Sequence, residues 1–413
     1  MIMQDNEKKP ALRFKGFTDP WEQRKLGEIA KEVVRNDPAS DAPIMMITAG
    51  NGFIEQSDRY AFNNAGESLK KYILLERGEL AYNHGASKLR PYGSCFALTT
   101  VEKARIPFVY HCFSVEKSNP EFLSIELNGA NVENQLRKIV SSGARMDGLL
   151  NIAYSEYTEV TVQLPKKEEQ DWIAKFFKHL DTLITLHQRK YEKLVNIKKS
   201  MLDKMFPPNG ASVPEIRFKG FTDPWEQRKL EEYLEVSGQK NFEGIYTKED
   251  VLSVSGDFGI VNQIEFQGRS FAGASVANYG VVETGDIVYT KSPLKSNPYG
   301  IIKANKGKNG IVSTLYAVYK PKQSANPEFV QIYFEQDARM NNYMHPLVNK
   351  GAKNDMKVSA ENALKGQIVF PDIKEQRTIS EFFRNLDTLI TLHQRKLEKL
   401  QNIKKSCLEK MFV

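Results

Sequence analysis

Cysteine is scarce: Cys95, Cys112 and Cys407 are three in 413 residues. An odd number without metal spacing excludes a disulfide-stapled fold and a thiolate metal site, and suits a reducing cytoplasm. The six histidines are scattered, so no metal cluster is expected. No run of eighteen apolar residues occurs, which excludes a membrane-spanning helix. Residues 1–10 are polar, lack the apolar segment of a signal peptide and read as a frayed tail. No phosphate-binding loop of the G-x-x-x-x-G-K-S/T type and no His-Glu-x-x-His helix appears. No cofactor of its own is therefore expected of the chain. Proline and glycine are missing from two long stretches, 166–206 and 372–412.

Those two stretches are near copies. Asp181-Thr182-Leu183-Ile184-Thr185-Leu186-His187-Gln188-Arg189-Lys190 returns unchanged from Asp387 to Lys396. A seam steps by three and four through Leu180, Ile184, His187, Tyr191, Leu194, Lys198 and Met201. Its copy runs through Leu386, Ile390, His393, Leu397, Leu400, Lys404 and Cys407. A mean step of about 3.5 residues belongs to a coiled coil rather than to a lone helix. Each helix is expected to run roughly 39 residues, or about 58 Å, and the two to pack on each other. His187 and His393 read as packing or register residues; Lys198 and Lys404 break the seam and are expected to orient it. Residues 166–206 hold ten Lys and Arg against six Asp and Glu, and residues 372–412 hold nine against six. The helices thus carry the whole formal charge of +7. The rest is neutral, so bulk charge is a weak argument for nucleic acid.

The repeat is larger than the helix. Residues 13–26, reading R-F-K-G-F-T-D-P-W-E-Q-R-K-L, match residues 217–230 at every position. Further matches include Gly78-Glu79 with Gly285-Asp286, Pro91-Tyr92-Gly93 with Pro298-Tyr299-Gly300, and Asn119-Pro120-Glu121-Phe122 with residues 326–329. Glu169-Gln170 with Ile173, Phe176 and Phe177 recurs as Glu375-Gln376 with Ile379, Phe382 and Phe383. The chain is a tandem duplication of a unit of roughly 200 residues, far longer than a solenoid repeat. In the first copy, residues 72–75, 79–82, 107–115 and 160–164 read as strands, and 120–127 and 131–140 as helices. The second copy gives strands at 281–282, 286–289, 311–319 and 367–370, and helices at 327–334 and 336–348. The expected boundaries are a tail and first block (1–26), a first body (27–165) and a central helix (166–206). A linker and second block (207–230), a second body (231–371) and a distal helix (372–413) follow. Each unit is a mixed α/β, strictly α+β, body followed by a long helix. The helices are nearly identical and the bodies are not.

From Ala11 to Val413 the chain resembles the specificity subunit of type I restriction–modification systems. The resemblance rests on the repeated F-x-G-F-x-D-P-W-E-x-R-K-L block, the E-Q-x-x-I-x-x-F-F helix entry and the L-D-x-L-I-T-L-H-Q-R-K run. It implies two target-recognition domains, each reading one half of a split DNA site. It implies a pseudo-two-fold duplication whose long helices form an antiparallel coiled coil and set the gap between half-sites. It implies a non-catalytic subunit of a cytoplasmic complex with double-stranded DNA, two adenine-methyltransferase subunits and restriction–translocase subunits. S-adenosylmethionine, Mg and ATP would then sit on those partners only. Two unlike bodies on a fixed strut also suit an asymmetric bipartite site by half-site geometry. A non-DNA-binding, coiled-coil protein-interaction scaffold is the alternative. An unrecognised nuclease or methyltransferase is a third reading; Asn297-Pro298-Tyr299 lacks the second proline of the methyltransferase tetrapeptide, and the other copy has Arg90-Pro91-Tyr92.

Candidate DNA contacts fall in two pairs of loops. The first pair is residues 83–93 and 290–300, with Asn83, His84, Lys88, Arg90 and Tyr92 against Lys291, Lys295, Asn297 and Tyr299. Arg90 suits guanine and Asn297 adenine, whereas the aligned Lys88 and Lys295 suit phosphate. The second pair is the small-residue turns 141–147 and 349–355, where Arg145, Lys353 and Asn354 suit phosphate. The first pair also reads as solvated loops whose Pro-Tyr-Gly is a turn with a packed ring, and the second as ordinary basic turns. Trp21 and Trp225, with Phe14, Phe17, Phe218 and Phe221, read as aromatic plugs packing each body against the helix ends.

Overall fold

The computed structural model describes residues 9–59, 66–140, 150–208, 210–291, 297–348 and 358–412. It divides into two compact units. Unit 1 is Met1–His187 with Arg395–Val413, and unit 2 is Gln188–Gln394.

Unit 1 contains strands β1 (Glu22–Lys25), β2 (Ala30–Glu32), β3 (Met45–Thr48), β4 (Gly52–Glu55) and β5 (Ile73–Glu76). Then come β6 (Leu80–Asn83), β7 (Ser94–Ala97), β8 (Lys103–Ile106), β9 (His111–Val115), α1 (Pro120–Leu127), α2 (Ala130–Ile139), α3 (Tyr154–Tyr157) and β10 (Thr161–Leu164). The long helix α4 (Lys167–Lys204) begins in unit 1 and ends in unit 2. Unit 2 continues with β11 (Glu226–Lys229), β12 (Leu234–Val236), β13 (Leu252–Ser255), β14 (Gly259–Asn262), α5 (Gln263–Gln267) and β15 (Gly280–Val282). Next are β16 (Ile287–Thr290), β17 (Ile302–Ala304), β18 (Gly310–Val312), β19 (Tyr316–Pro321), α6 (Pro327–Tyr333), α7 (Asp337–Met344), β20 (Gln367–Phe370) and α8 (Ile373–Lys410), which returns to unit 1.

The two bodies share one topology. Unit 1 pairs its strands as β2-β9-β6-β7, β3-β4, β5-β8 and β1-β10; unit 2 gives β12-β19-β16-β17, β13-β14, β15-β18 and β11-β20. Every ladder is antiparallel. The central strand is the wall between two cores. Leu80 and Tyr82 of β6 face the core that holds Trp21 and Phe122, while Ala81 faces the core of Ile47 and Leu75. In β16, Ile287 and Tyr289 face one core and Val288 another. Two-sided burial explains why these strands read as unbroken apolar runs.

Two expected strands are shorter or divided. The run 311–319 is β18 and β19, which lie in different sheets, because Ser313 turns the chain and its carbonyl accepts the Tyr316 N–H at 3.0 Å. Residues 107–110 form the matching turn, closed by Tyr110 N–H to the Pro107 carbonyl at 3.0 Å, so β9 starts only at His111.

Both long helices have 38 residues. In unit 1 the start of α4 (Ile173, Phe177, Leu180) shares a core with the end of α8 (Cys407, Met411). In unit 2 the end of α4 (Met205, Phe206) shares a core with the start of α8 (Ile379, Phe383). The helices therefore run antiparallel within each unit. Leu180, Leu386 and Cys407 are buried, and Ile184, His187, Tyr191, Leu194, Met201, Ile390, His393, Leu397 and Leu400 are half-buried. Lys198 bonds Asp387 at 2.8 Å and Glu335 at 2.7 Å. Lys404 pairs with Asp181 in the reciprocal place. Each seam lysine thus meets a carboxylate of the opposing helix, a contact that only one register of the antiparallel pair supplies.

The repeated motifs weld helix to body. Arg13 Nε and Nη2 donate to the Glu169 carboxylate at 2.8 and 2.6 Å, and Arg217 does the same to Glu375 at 2.7 Å on each oxygen. Both glutamates are 1% exposed. Gln170 donates to the Pro165 carbonyl and accepts the Asn119 N–H; Gln376 repeats this with Pro371 and Asn326. Trp21 and Trp225 are buried. Phe412 at the end of α8 lies 5.8–6.0 Å from the rings of Trp21, Phe122 and Phe177. Phe206 at the end of α4 fills the equivalent place among Trp225, Phe329 and Phe383. Each body is closed by the last aromatic of the other copy's helix.

Candidate nucleic-acid interface

Three loops of unit 1 are knit into one rim at the end of β6. Asn83 Nδ2 donates to the Ile47 carbonyl at 3.1 Å, and its Oδ1 accepts the Gly85 N–H at 2.9 Å. His84, 8% exposed, places Nδ1 and Nε2 at 2.8 and 2.7 Å from the Leu150 and Val109 carbonyls. A Cβ placed on Gly50 in the β3–β4 turn would fall 3.7 Å from the Leu89 side chain. Polar side chains with internal partners therefore tie the loop after β6 to strand β3, to the turn 107–110 and to Leu150, and Leu89 of that loop lies near the hairpin tip.

Unit 2 repeats the plan with other residues. Lys291, aligned with His84, ties to the same turn: its Nζ donates to the Thr314 carbonyl at 2.9 Å and its N–H to the Leu315 carbonyl. Tyr289 donates its hydroxyl to the Tyr299 carbonyl at 2.6 Å, as Tyr82 does to the Tyr92 carbonyl at 2.7 Å. Gly300 has φ +86°, and a Cβ there would fall 1.7 Å from the Thr290 carbonyl oxygen. Gly93 has φ +83°, and a Cβ there would fall 2.7 Å from the Asn83 carbonyl oxygen, so both copies need glycine after Pro-Tyr.

Several of the residues expected to meet DNA have partners inside the body. Arg90 turns inward, donating from Nη1 to the Asn128 carbonyl at 2.7 Å, and burial pulls its pKa down. Asn297 is 6% exposed and donates to Asp337 at 2.8 Å. The Tyr92 ring is half-buried and packs on the core, and the Tyr299 ring stands 6.0 Å from His345. Asn83, His84 and Lys291 are spent on loop geometry. To meet a base edge such a side chain would have to share or leave its internal bond. Lys88 is exposed, as are Leu89 (65%) and Phe108 (47%). Arg145, Lys295, Lys353 and Asn354 lie outside the described residues. Nothing in the spacing of residues along the chain places the β3–β4 tip beside the loop after β6; tertiary packing does.

The rim and its duplicated scaffold can be set against known proteins. A protein of Methanocaldococcus jannaschii is 22% identical over 422 residues, covering 94% of this chain and 91% of its own. A second from that organism is 21% identical over 278 residues, 64% of each chain. Both are named as type I restriction enzyme specificity subunits. It is to these subunits that the chain is similar. The crystal structure of a type I restriction–modification S subunit from M. genitalium shares the fold, with a TM-score of 0.54 at 14% identity over 98% of this chain and 99% of that one. No protein-family model matches the chain. Likeness to type I specificity subunits therefore spans both bodies and both helices, not one domain. Among the described residues no helix is long and apolar enough to cross a membrane.

Proposed function

We propose that the chain is the DNA-recognition subunit of a type I restriction–modification complex and that each body reads one half of an asymmetric, bipartite site. One observation carries the reading: a single strand topology occurs twice, scaffolded by the same bonds, with different side chains on the same rim. Duplicated scaffolds with unlike faces suit two unlike half-sites. The two 38-residue helices would set the spacing. They would also dock two adenine-methyltransferase subunits. Leu186, Leu389 and Leu392, each more than 40% exposed on those helices, would contribute to that docking face. Restriction–translocase subunits would join that complex. The chain itself is non-catalytic, and S-adenosylmethionine, Mg and ATP belong to its partners. A gel shift with the methyltransferase partner on a random-site DNA library tests this. Enrichment of one bipartite sequence is expected. A stable protein complex that retains no DNA would leave a protein scaffold instead, and methyl transfer or cleavage by the chain alone would make it an enzyme.

A further inference from the structure

We propose that the tips of the β3–β4 and β13–β14 hairpins are base readers: Asn51 on adenine in one half-site, and Phe258 on the C5 methyl of thymine in the other. This rests on the DNA-reading role proposed above.

The two tips are built alike and present different residues. Thr48 Oγ1 accepts the Asn51 N–H at 3.3 Å, and Ser255 Oγ accepts the Phe258 N–H at 3.2 Å. A left-handed glycine follows each, Gly52 at φ +68° and Gly259 at φ +73°. Between hydroxyl and glycine the sequences are Ala49-Gly50-Asn51 and Gly256-Asp257-Phe258. The supports are shared and the presented residue varies, as expected of a position that sets specificity.

Charge decides which part of DNA the tips suit. The unit 1 tip carries no charge, and the unit 2 tip carries only Asp257, which phosphates would repel. Neither tip carries a Lys or Arg for a phosphate clamp, which favours base edges as the DNA surface each would meet. Each hairpin is a separate two-stranded sheet of four-residue strands. A two-stranded ribbon fits the major groove. There the Asn51 amide can donate to N7 and accept from N6 of adenine, and a Phe ring can cover a thymine methyl. Phe258 is 67% exposed and stands 5.2 Å from Phe266 on α5. In unit 1 a 3-10 turn, Gln56–Asp58, follows the hairpin in the place of α5. The extra helix braces an exposed ring, which lowers the entropy lost when the ring is covered.

The test uses the full chain with its methyltransferase partner, as wild type, Phe258→Ala, Phe258→Leu and Asn51→Ala. Affinity is read on the cognate site and on sites with one base changed or modified. Phe258→Ala is expected to lose roughly five- to hundredfold discrimination at one thymine of one half-site, and Phe258→Leu to retain most of it. Replacing that thymine by deoxyuridine should weaken wild type and leave Phe258→Ala unaffected. Asn51→Ala should relax one adenine of the other half-site, where 7-deazaadenine weakens wild type alone. Unchanged discrimination in both alanine variants would overturn the proposal while leaving DNA reading intact, and so would equal weakening on every sequence. No site preference in the wild type would remove the DNA reading beneath it.

Discussion

Replacing Glu126 by Gln should remove a pH dependence confined to unit 1. Glu126 lies on α1 at 2% exposure, and burial pushes its carboxyl up to about 7, opposed by a hydrogen bond from the Gln163 N–H at 2.9 Å. Because the folded value is raised, the folded state holds the proton more tightly than the unfolded chain does. The stability this gives is fully present below about pH 4.5 and is lost as pH rises through about 7. A gap of about 2.5 units at about 1.36 kcal/mol each puts the loss at about 3 kcal/mol. Gln keeps an acceptor for the Gln163 N–H and has no charge to desolvate. The variant should therefore match wild type near pH 5 and exceed it by up to about 3 kcal/mol at pH 8. Urea unfolding from pH 5 to 8 in a Trp225→Phe background isolates the unit 1 tryptophans, Trp21 and Trp172. Parallel curves for variant and wild type, or a variant less stable at pH 8, would refute the reasoning. Unit 2 aligns Tyr333 with Glu126 and should show no such slope.

The other predictions concern the welds between body and helix. Arg13→Ala leaves the Glu169 carboxylate buried without its cation and should destabilise unit 1 by about 3–5 kcal/mol; Arg217→Ala should do the same to unit 2. Hydrogen exchange resolved by unit checks this, and the wrong unit loosening would contradict it. Phe206→Ala removes a ring 1% exposed and should cost unit 2, not unit 1, about 3–5 kcal/mol, although Phe206 ends the first copy's helix. Reversing Lys404 and Asp181 singly should cost at most about 1 kcal/mol each, since the pair is partly exposed, and the double reversal should recover it. Thermal unfolding of the four combinations is the assay.

Much of the architecture was legible because it repeats. The 3-4 spacing from Leu180 to Met201 and from Leu386 to Cys407 marks the buried stripes, since a helix has no other way to hide apolar residues at that period. Glu169 and Gln170, visible as a repeated pair, turned out to hold Arg13 and the Asn119 backbone. Strands β1 and β11 were not legible: their Glu-Gln-Arg-Lys is wholly exposed, and only backbone pairing with β10 and β20 makes them strands. Arg90 and Asn297 looked like base readers because their residue types and loops suit the task. Their inward turn depends on carbonyl and carboxylate partners 38 and 40 residues away.

By itself the sequence determined that this is one unit made twice, with alike helices and unlike bodies, because identity between copies and local period need no partner to be seen. Only the tertiary structure decided that each unit closes on the far end of the other copy's helix, Phe412 in one and Phe206 in the other. That choice is made by packing of Phe412 on Trp21 and Phe122 and of Phe206 on Phe329 and Phe383, pairs that stand far apart in the chain, and such contacts leave no mark on the spacing of neighbours along it.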